Sequence, residues 1–270
     1  MIDEPELNTA AVGAALTTQW LGRAYRYAAG LDSTNEQMKR WAADGAPHGA
    51  VLLADYQSAG RGRLDRRWDA PPATSLLLSV LLRPAAWPAE RGAWLTMLAG
   101  LAAAEAIEAV AGLPARLKWP NDVLVEQDGQ WRKTCGLLLD ATLDGERLAT
   151  AITGIGLNVN IPAEALADFA TPATSLLAAG GQAVLRRVLL VELLARLEGH
   201  YAAADAGQSP VAAWSARLET VGQTVTVTAG SAAPLAGVAE GVDEWGRLLV
   251  RDAAGQRHTI AAGDVTLRRR

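Results

Sequence analysis

Four short segments concentrate the residues able to hold or steer charge. Gly60-Arg61-Gly62-Arg63 alternates residues that admit a close backbone approach with guanidinium forks that pair with phosphate or carboxylate oxygens. Read alone, a solvated arginine loop extended by Arg66 and Arg67 is the simpler account. In Lys118-Trp119-Pro120-Asn121-Asp122 the last three residues favour a turn, which leaves the lysine beside the tryptophan without a reason. Lys133 precedes the apolar run 135–139, where it either ends a strand in solvent or aims a cation at whatever the neighbouring loops bind. Ser33, Thr34 and Asn35 bring hydroxyl and amide groups to a helix start, where capping is their simplest role. Together with Gln57 they would also suit a polar head group that both donates and accepts hydrogen bonds.

Residue economy makes these segments stand out. Of the 25 basic residues only Lys39, Lys118 and Lys133 are lysines, so arginine serves wherever a generic positive charge suffices. Asparagine is as scarce, and Asn35, Asn121, Asn158 and Asn160 fall inside the segments that carry chemistry.

Other chemistries lack their residues. No G-x-x-x-x-G-K-[ST] pattern is present, so ATP use cannot rest on a P-loop. Gly154-Ile155-Gly156 lacks the third glycine of a dinucleotide fingerprint and closes a run of strands rather than opening a βαβ unit. Cys135 is the only cysteine, which rules out an intramolecular disulfide, and His48, His200 and His258 lie too far apart for a zinc framework; no metal-ligating set is expected. Cys135 itself reads as a small buried residue. The net charge of −4 gives no global attraction to nucleic acid. The longest apolar stretch, 94–113, contains Glu105 and Glu108, and the N-terminus is acidic, so neither a membrane span nor export is expected and the cytoplasm is the simplest location.

The positioning elements follow from periodicity and punctuation. Residues 23–28 read as a short strand, followed by a helix to about Ala43 with capping-box spacing at Ser33 and Glu36. Residues 50–54 and 75–82 are apolar runs of strand length flanking the Gly- and Arg-rich segment 58–67, which reads as an exposed loop. Residues 94–110 are Ala- and Leu-rich and free of proline, so a buried helix over one sheet face is expected. Turn signals at Pro120-Asn121-Asp122, Asp128-Gly129 and Asp144-Gly145 predict an antiparallel meander ending near Asn158. Residues 185–201 carry helical spacing, and beyond Gly222 short strands with turns near Gly230, 244–246, 252–255 and Gly263 predict a small all-β unit. At 270 residues one sizeable core and a smaller second unit are accommodated.

In order, DSTNE, ADYQSAGRGRLDRRW, SLLLSVLLRP, LKWPNDV, KTCGLLLD and TGIGLNVN resemble the successive motifs of bacterial biotin protein ligases. The match runs from residue 31 to residue 160, and the β-rich tail resembles that family's SH3-like barrel. The resemblance implies an α+β fold: a mixed or antiparallel sheet flanked by helices over residues 31–218, a small C-terminal SH3-like barrel over 222–270, and a short N-terminal segment over 1–30. It implies adenylation of biotin by ATP with magnesium, then transfer to a lysine of a biotin carboxyl carrier protein. By matching position, Ser33, Thr34, Asn35 and Gln57 would hold the ureido ring, and Arg61, Gly62 and Arg63 would close over biotin and the adenylate phosphate. Lys133 would neutralise the carboxylate, Asp122 would orient or deprotonate the incoming lysine, and Lys118 and Asn121 would support ATP. Trp68, Gly154, Gly156 and Asn158 would complete the nucleotide site. The roughly 30 residues before Ser33 are too few for the winged-helix domain of some relatives, so no DNA binding is expected. A homodimer is left open. A lipoate or octanoate ligase, and a biotin-binding regulator, are the competing readings.

Overall fold

The computed structural model describes residues 7–64, 66–167, 169, 172–228 and 233–267. Helices are α1 (Thr9–Ala15), α2 (Thr34–Ala43), α3 (Gly92–Ala111), α4 (Ala163–Leu166), α5 (Leu176–Gly180), α6 (Arg186–Asp205) and α7 (Val211–Ala216). Strands β1 (Tyr25–Ala28), β2 (Val51–Ala54), β3 (Ser75–Leu82), β4 (Ala115–Lys118), β5 (Asp122–Gln127), β6 (Gln130–Asp144) and β7 (Arg147–Asn158) form a seven-stranded sheet in the order β1-β2-β3-β7-β6-β5-β4. The sheet is mixed: β1 and β2 run parallel, and every other neighbouring pair is antiparallel. Strands β8 (Thr224–Thr228), β9 (Leu235–Val242), β10 (Leu248–Arg251), β11 (Arg257–Ile260) and β12 (Asp264–Leu267) form a second, antiparallel sheet in the order β11-β10-β9-β8-β12. The turn expected near Gly230 lies outside the described residues.

Strand β3 explains why its run is apolar throughout: it is buried along its whole length because helices cover both faces. Its even-numbered residues Leu76, Leu78, Val80 and Leu82 join the main core with α3 and α6. Leu81 packs on the other face with Met38 of α2 and Ile152 of β7. The small side chains Ala99, Ala102, Ala103 and Ala106 let α3 lie close to its neighbours, and its C-terminus is closed by Gly112 at φ +67°, a conformation that glycine adopts without a Cβ penalty. Residues 89–111 are long and apolar enough to cross a membrane by length and composition, but here most of that stretch is buried as the central helix. The main apolar cluster extends without a break into the second sheet through Val225, Val227, Ala239, Leu248 and Val250.

The predicted helix at 34–43 is present, but its capping box is not formed. Ser33 sits at the N-cap position without a side-chain cap hydrogen bond, while Asp32 accepts from the Ser33 N–H and the Gln37 amide. The Thr34 N–H donates across the fold to Gln57 Oε1 at 2.7 Å, and Glu36 pairs with Lys39 and Arg61. A residue from a distant loop therefore satisfies the helix start better than the adjacent serine. The short helices α1, α4, α5 and α7 are not among the elements read from the sequence.

Leu101 is 1% exposed in the middle of α3. Leu101→Ala is expected to cost about 2–5 kcal/mol of stability in urea unfolding. A loss well below this range would show that α3 is not the centre of the core.

Candidate functional site

Alternation along the strands gives one face of the sheet three bare backbone positions near its middle. Ser79 of β3 pairs with Gly154 of β7, which pairs with Leu138 of β6, and Gly156 pairs with Gly136. These residues share the face opposite the α3 core. Glycine is required there by close approach. A Cβ on Gly156 would stand 2.5 Å from Trp68 Cε2, one on Gly136 would stand 2.6 Å from Trp68 Cζ3, and one on Gly154 would collide with Asn35 Oδ1. The indole of Trp68 and the amide of Asn35 thus lie directly on bare backbone.

Above this floor is a cavity of about 1490 Å³, large enough for an extended ligand. Every candidate residue identified from sequence lines it: Ser33, Thr34, Asn35 and Gln57 from α2 and the end of β2; Arg61, Gly62, Arg63 and Trp68 from the arginine loop; Lys118, Asn121, Asp122 and Lys133 from the β4–β5–β6 hairpins; and Gly154, Gly156 and Asn158 from β7. The second sheet contributes Asp264 and Val265 to the same wall.

The polar end is fixed by its surroundings. Gln57 extends the parallel β1–β2 ladder through a bridge to Leu31, and its Oε1 accepts from both the N–H and the hydroxyl of Thr34. Just before it, Asp55 is held by Arg186 at 2.7 Å and by the Tyr27 hydroxyl at 2.5 Å. That anchoring sets where the chain enters the cavity wall.

The cationic end is more crowded. Lys133 Nζ contacts Asp122 Oδ1 at 2.7 Å and lies 5.4 Å from the centre of the Trp68 ring. Lys118 lacks a hydrogen-bond or ion-pair partner among the described residues, and burial, reinforced by the nearby Lys133 charge, pulls its pKa below the ordinary lysine value despite Asp122 and Asp264. The Lys133 strand is pinned to the following loop, with Thr174 N–H donating to its carbonyl and Thr134 donating to the Asn158 carbonyl. Two polar atoms in this region, Trp68 Nε1 and Asn158 Oδ1, are buried without a hydrogen-bond partner among the described residues, an arrangement that favours a ligand supplying one.

The arginine segment is the exposed loop that was expected, and it is an ordered one. It folds back on itself, with Trp68 N–H donating to Gly60 O at 3.0 Å, Gly62 N–H to Arg66 O at 2.7 Å, and Arg61 bridging Arg67. Its guanidinium groups already have partners: Arg61 meets Glu36 and Asp140, Arg63 meets Asn121 Oδ1, Gly263 O and Asp264, and Arg66 meets Asp264. Sequence reasoning missed Gly136, Ser79, Asp140 and Asp264. Each is an ordinary residue whose position matters only once strand register is known. Among the described residues no group of three His, Cys, Asp or Glu side chains is placed to hold a metal. Cys135 is fully buried, and burial pushes its thiol far above the ordinary range, which favours the thiol over the reactive thiolate. One cavity thus combines a hydrogen-bonding end, a flat apolar floor and a cluster of cations, the arrangement needed to hold a polar-headed acid next to a phosphorylated group.

Residues 27–158 match the biotin/lipoate A/B protein ligase family, and residues 220–268 match the biotin protein ligase C-terminal domain. A biotin--[acetyl-CoA-carboxylase] ligase of Mycobacterium tuberculosis is 33% identical over 269 residues, covering 98% of this chain and 95% of that protein. The bifunctional ligase/repressor BirA of Bacillus spizizenii is 33% identical over 203 residues; the match takes in 74% of this chain and 61% of that relative's length. The structure of the Aquifex aeolicus biotin protein ligase in complex with biotin and ATP superposes with a TM-score of 0.74 at 30% identity, covering 92% of this chain and all of that one.

Gly156→Ala places a methyl where the Trp68 ring lies. The ring must move, and the loop, joined to Trp68 through its backbone N–H to Gly60 O, must move with it. Limited trypsin digestion should cleave at Arg61, Arg63, Arg66 or Arg67 faster in the variant than in the parent. Equal cleavage would show that the loop is held without the indole.

Proposed function

This chain belongs to the biotin/lipoate A/B protein ligase family, and on that basis we propose that it is a biotin protein ligase acting in the cytoplasm. It activates biotin with ATP and transfers it to a lysine of a biotin carboxyl carrier protein. In the first step a biotin carboxylate oxygen bonds to the α-phosphorus of ATP and pyrophosphate leaves. In the second, the carrier lysine attacks the acyl carbon and AMP leaves. The observation that carries this reading is the single cavity joining the Ser33–Gln57 polar end to the Lys133–Lys118 cationic end across a bare glycine floor.

The proposed roles follow from that order. Ser33, Thr34, Asn35 and Gln57 hold the ureido ring. Lys133 neutralises the carboxylate and then draws electron density from the acyl phosphate. Charge accumulates on the phosphoryl oxygens as the bond forms, so cations already in place favour the transition state over the ground state. Arg61, Gly62 and Arg63 exchange their resting partners for the phosphate and cover the adenylate, keeping water out. Trp68, Lys118, Asn121, Gly154, Gly156 and Asn158 hold the nucleotide, with the unpartnered Asn158 Oδ1 receiving one of its donors. Asp122, in contact with Lys133, orients the carrier amine and takes its proton. Asn121 and Lys118 would support ATP together with its magnesium, which would be held mainly by phosphate oxygens and would screen their charge.

Pyrophosphate release by the purified chain with ATP and magnesium should require biotin. Release with lipoate or octanoate instead would keep the fold and change the substrate. Lys133→Ala should lower adenylation by roughly 10²–10³-fold, with much less effect on the thermal midpoint, because its proposed task is charge stabilisation. Normal turnover by that variant would remove Lys133 from the mechanism.

A further inference from the structure

We propose that Asp140 sets the acid selectivity of this site by dictating which way the Asn35 amide faces. The inference rests on the biotin-binding reading and assigns a positioning residue within it. Asn35 is 3% exposed, lies over Gly154 and lines the cavity. Its two ends are held from opposite sides: Ser79 Oγ donates to Oδ1 at 2.6 Å, and Nδ2 donates to Asp140 Oδ2 at 3.1 Å.

The two partners differ in what they enforce. A serine hydroxyl donates or accepts as it rotates, so Ser79 tolerates either end of the amide. An ionised carboxylate only accepts, so turning the amide over would set oxygen against oxygen at Asp140. The carboxylate therefore chooses the orientation and the hydroxyl follows. Asp140 is itself held by Lys39 at 3.0 Å and Arg61 at 3.5 Å. This gives a place to Lys39, the one lysine of three that the catalytic roles leave over.

In this orientation the amide has one N–H and one carbonyl lone pair still unused. A cyclic urea, carrying both N–H donors and a carbonyl acceptor, can satisfy both. The dithiolane or alkyl end of lipoate or octanoate can satisfy neither, and would leave a buried amide unpaired. A site built to hydrogen-bond its substrate rejects analogues lacking those groups far more strongly than an apolar pocket does.

The test is steady-state pyrophosphate release by the full chain, with biotin, lipoate and octanoate, for the parent, Asp140→Ala, Asp140→Glu and Ser79→Ala. Asp140→Ala is expected to raise the KM for biotin about tenfold, the worth of roughly one hydrogen bond, and to narrow the preference for biotin, with the KM for ATP little changed. Asp140→Glu should recover part of the preference, and Ser79→Ala should lose less of it. A merely structural role would instead lower the thermal midpoint and the rate with every acid alike. If Asp140→Ala does not fold, Asp140→Asn, whose own amide can face either way, makes the same comparison. An unchanged biotin KM and acid preference beside an active parent overturns this inference alone. A parent that releases no pyrophosphate with biotin overturns the functional reading as well, before any variant is made.

Discussion

The site depends on backbone left uncovered. A sheet buried on both faces would ordinarily fill each inward position with an apolar side chain, yet Gly136, Gly154 and Gly156 leave the middle of one face empty. That omission creates the volume of the cavity and the flat surface on which Trp68 and Asn35 rest. It is affordable because the opposite face of the same strands is packed with Ile155, Leu157, Leu137 and Cys135 against α3. The strands are stabilised from one side so that they can bind from the other.

In the resting protein the cations that crowd one end of the cavity are partly offset by carboxylates from separate elements: Glu36 on α2, Asp140 on β6, Asp122 on β5 and Asp264 on β12. Several of these pairs are partly exposed, so each contributes little to stability. Their effect is on geometry. They hold long, flexible side chains near the positions an anionic ligand requires, and they can be exchanged for its oxygens at small cost.

Much of this was legible in the chain itself, and the reasons differ by element. Strand β3 and helix α3 were readable because their apolar runs are long and uninterrupted, and the β4–β7 meander because its turns are marked by Pro, Asn, Asp and Gly. The short helices carry too few turns for a period to emerge. The parallel pairing of β1 with β2, and the insertion of β7 between β3 and β6, join segments far apart in sequence and leave no local trace. Within the site, scarce lysines and asparagines pointed to Lys133, Lys118, Asn35 and Asn158. Ser79, Gly136 and Asp140 did not stand out, because their importance comes from register: each lies opposite or diagonal to a residue on another strand. Glu36 had the spacing of a capping residue and became an ion-pair partner, since an arginine from a distant loop competes better for its carboxylate than a neighbouring backbone amide.

The second sheet also has two separate attachments to the first. One is the shared apolar core, which the Trp119 indole joins while its N–H donates to Gly246 O at 3.0 Å. The other is a few polar contacts at the start of β12, where Gly263 and Asp264 meet Arg63 and Arg66. These two attachments are coded by different residues and can drift independently over generations. A chain that exchanged this module for another with an equivalent apolar face, but no acid at position 264, would inherit the architecture intact. It would lose the contacts of Arg63 and Arg66 with that acid, so the module is matched to the arginine loop at its rim as well as to the core.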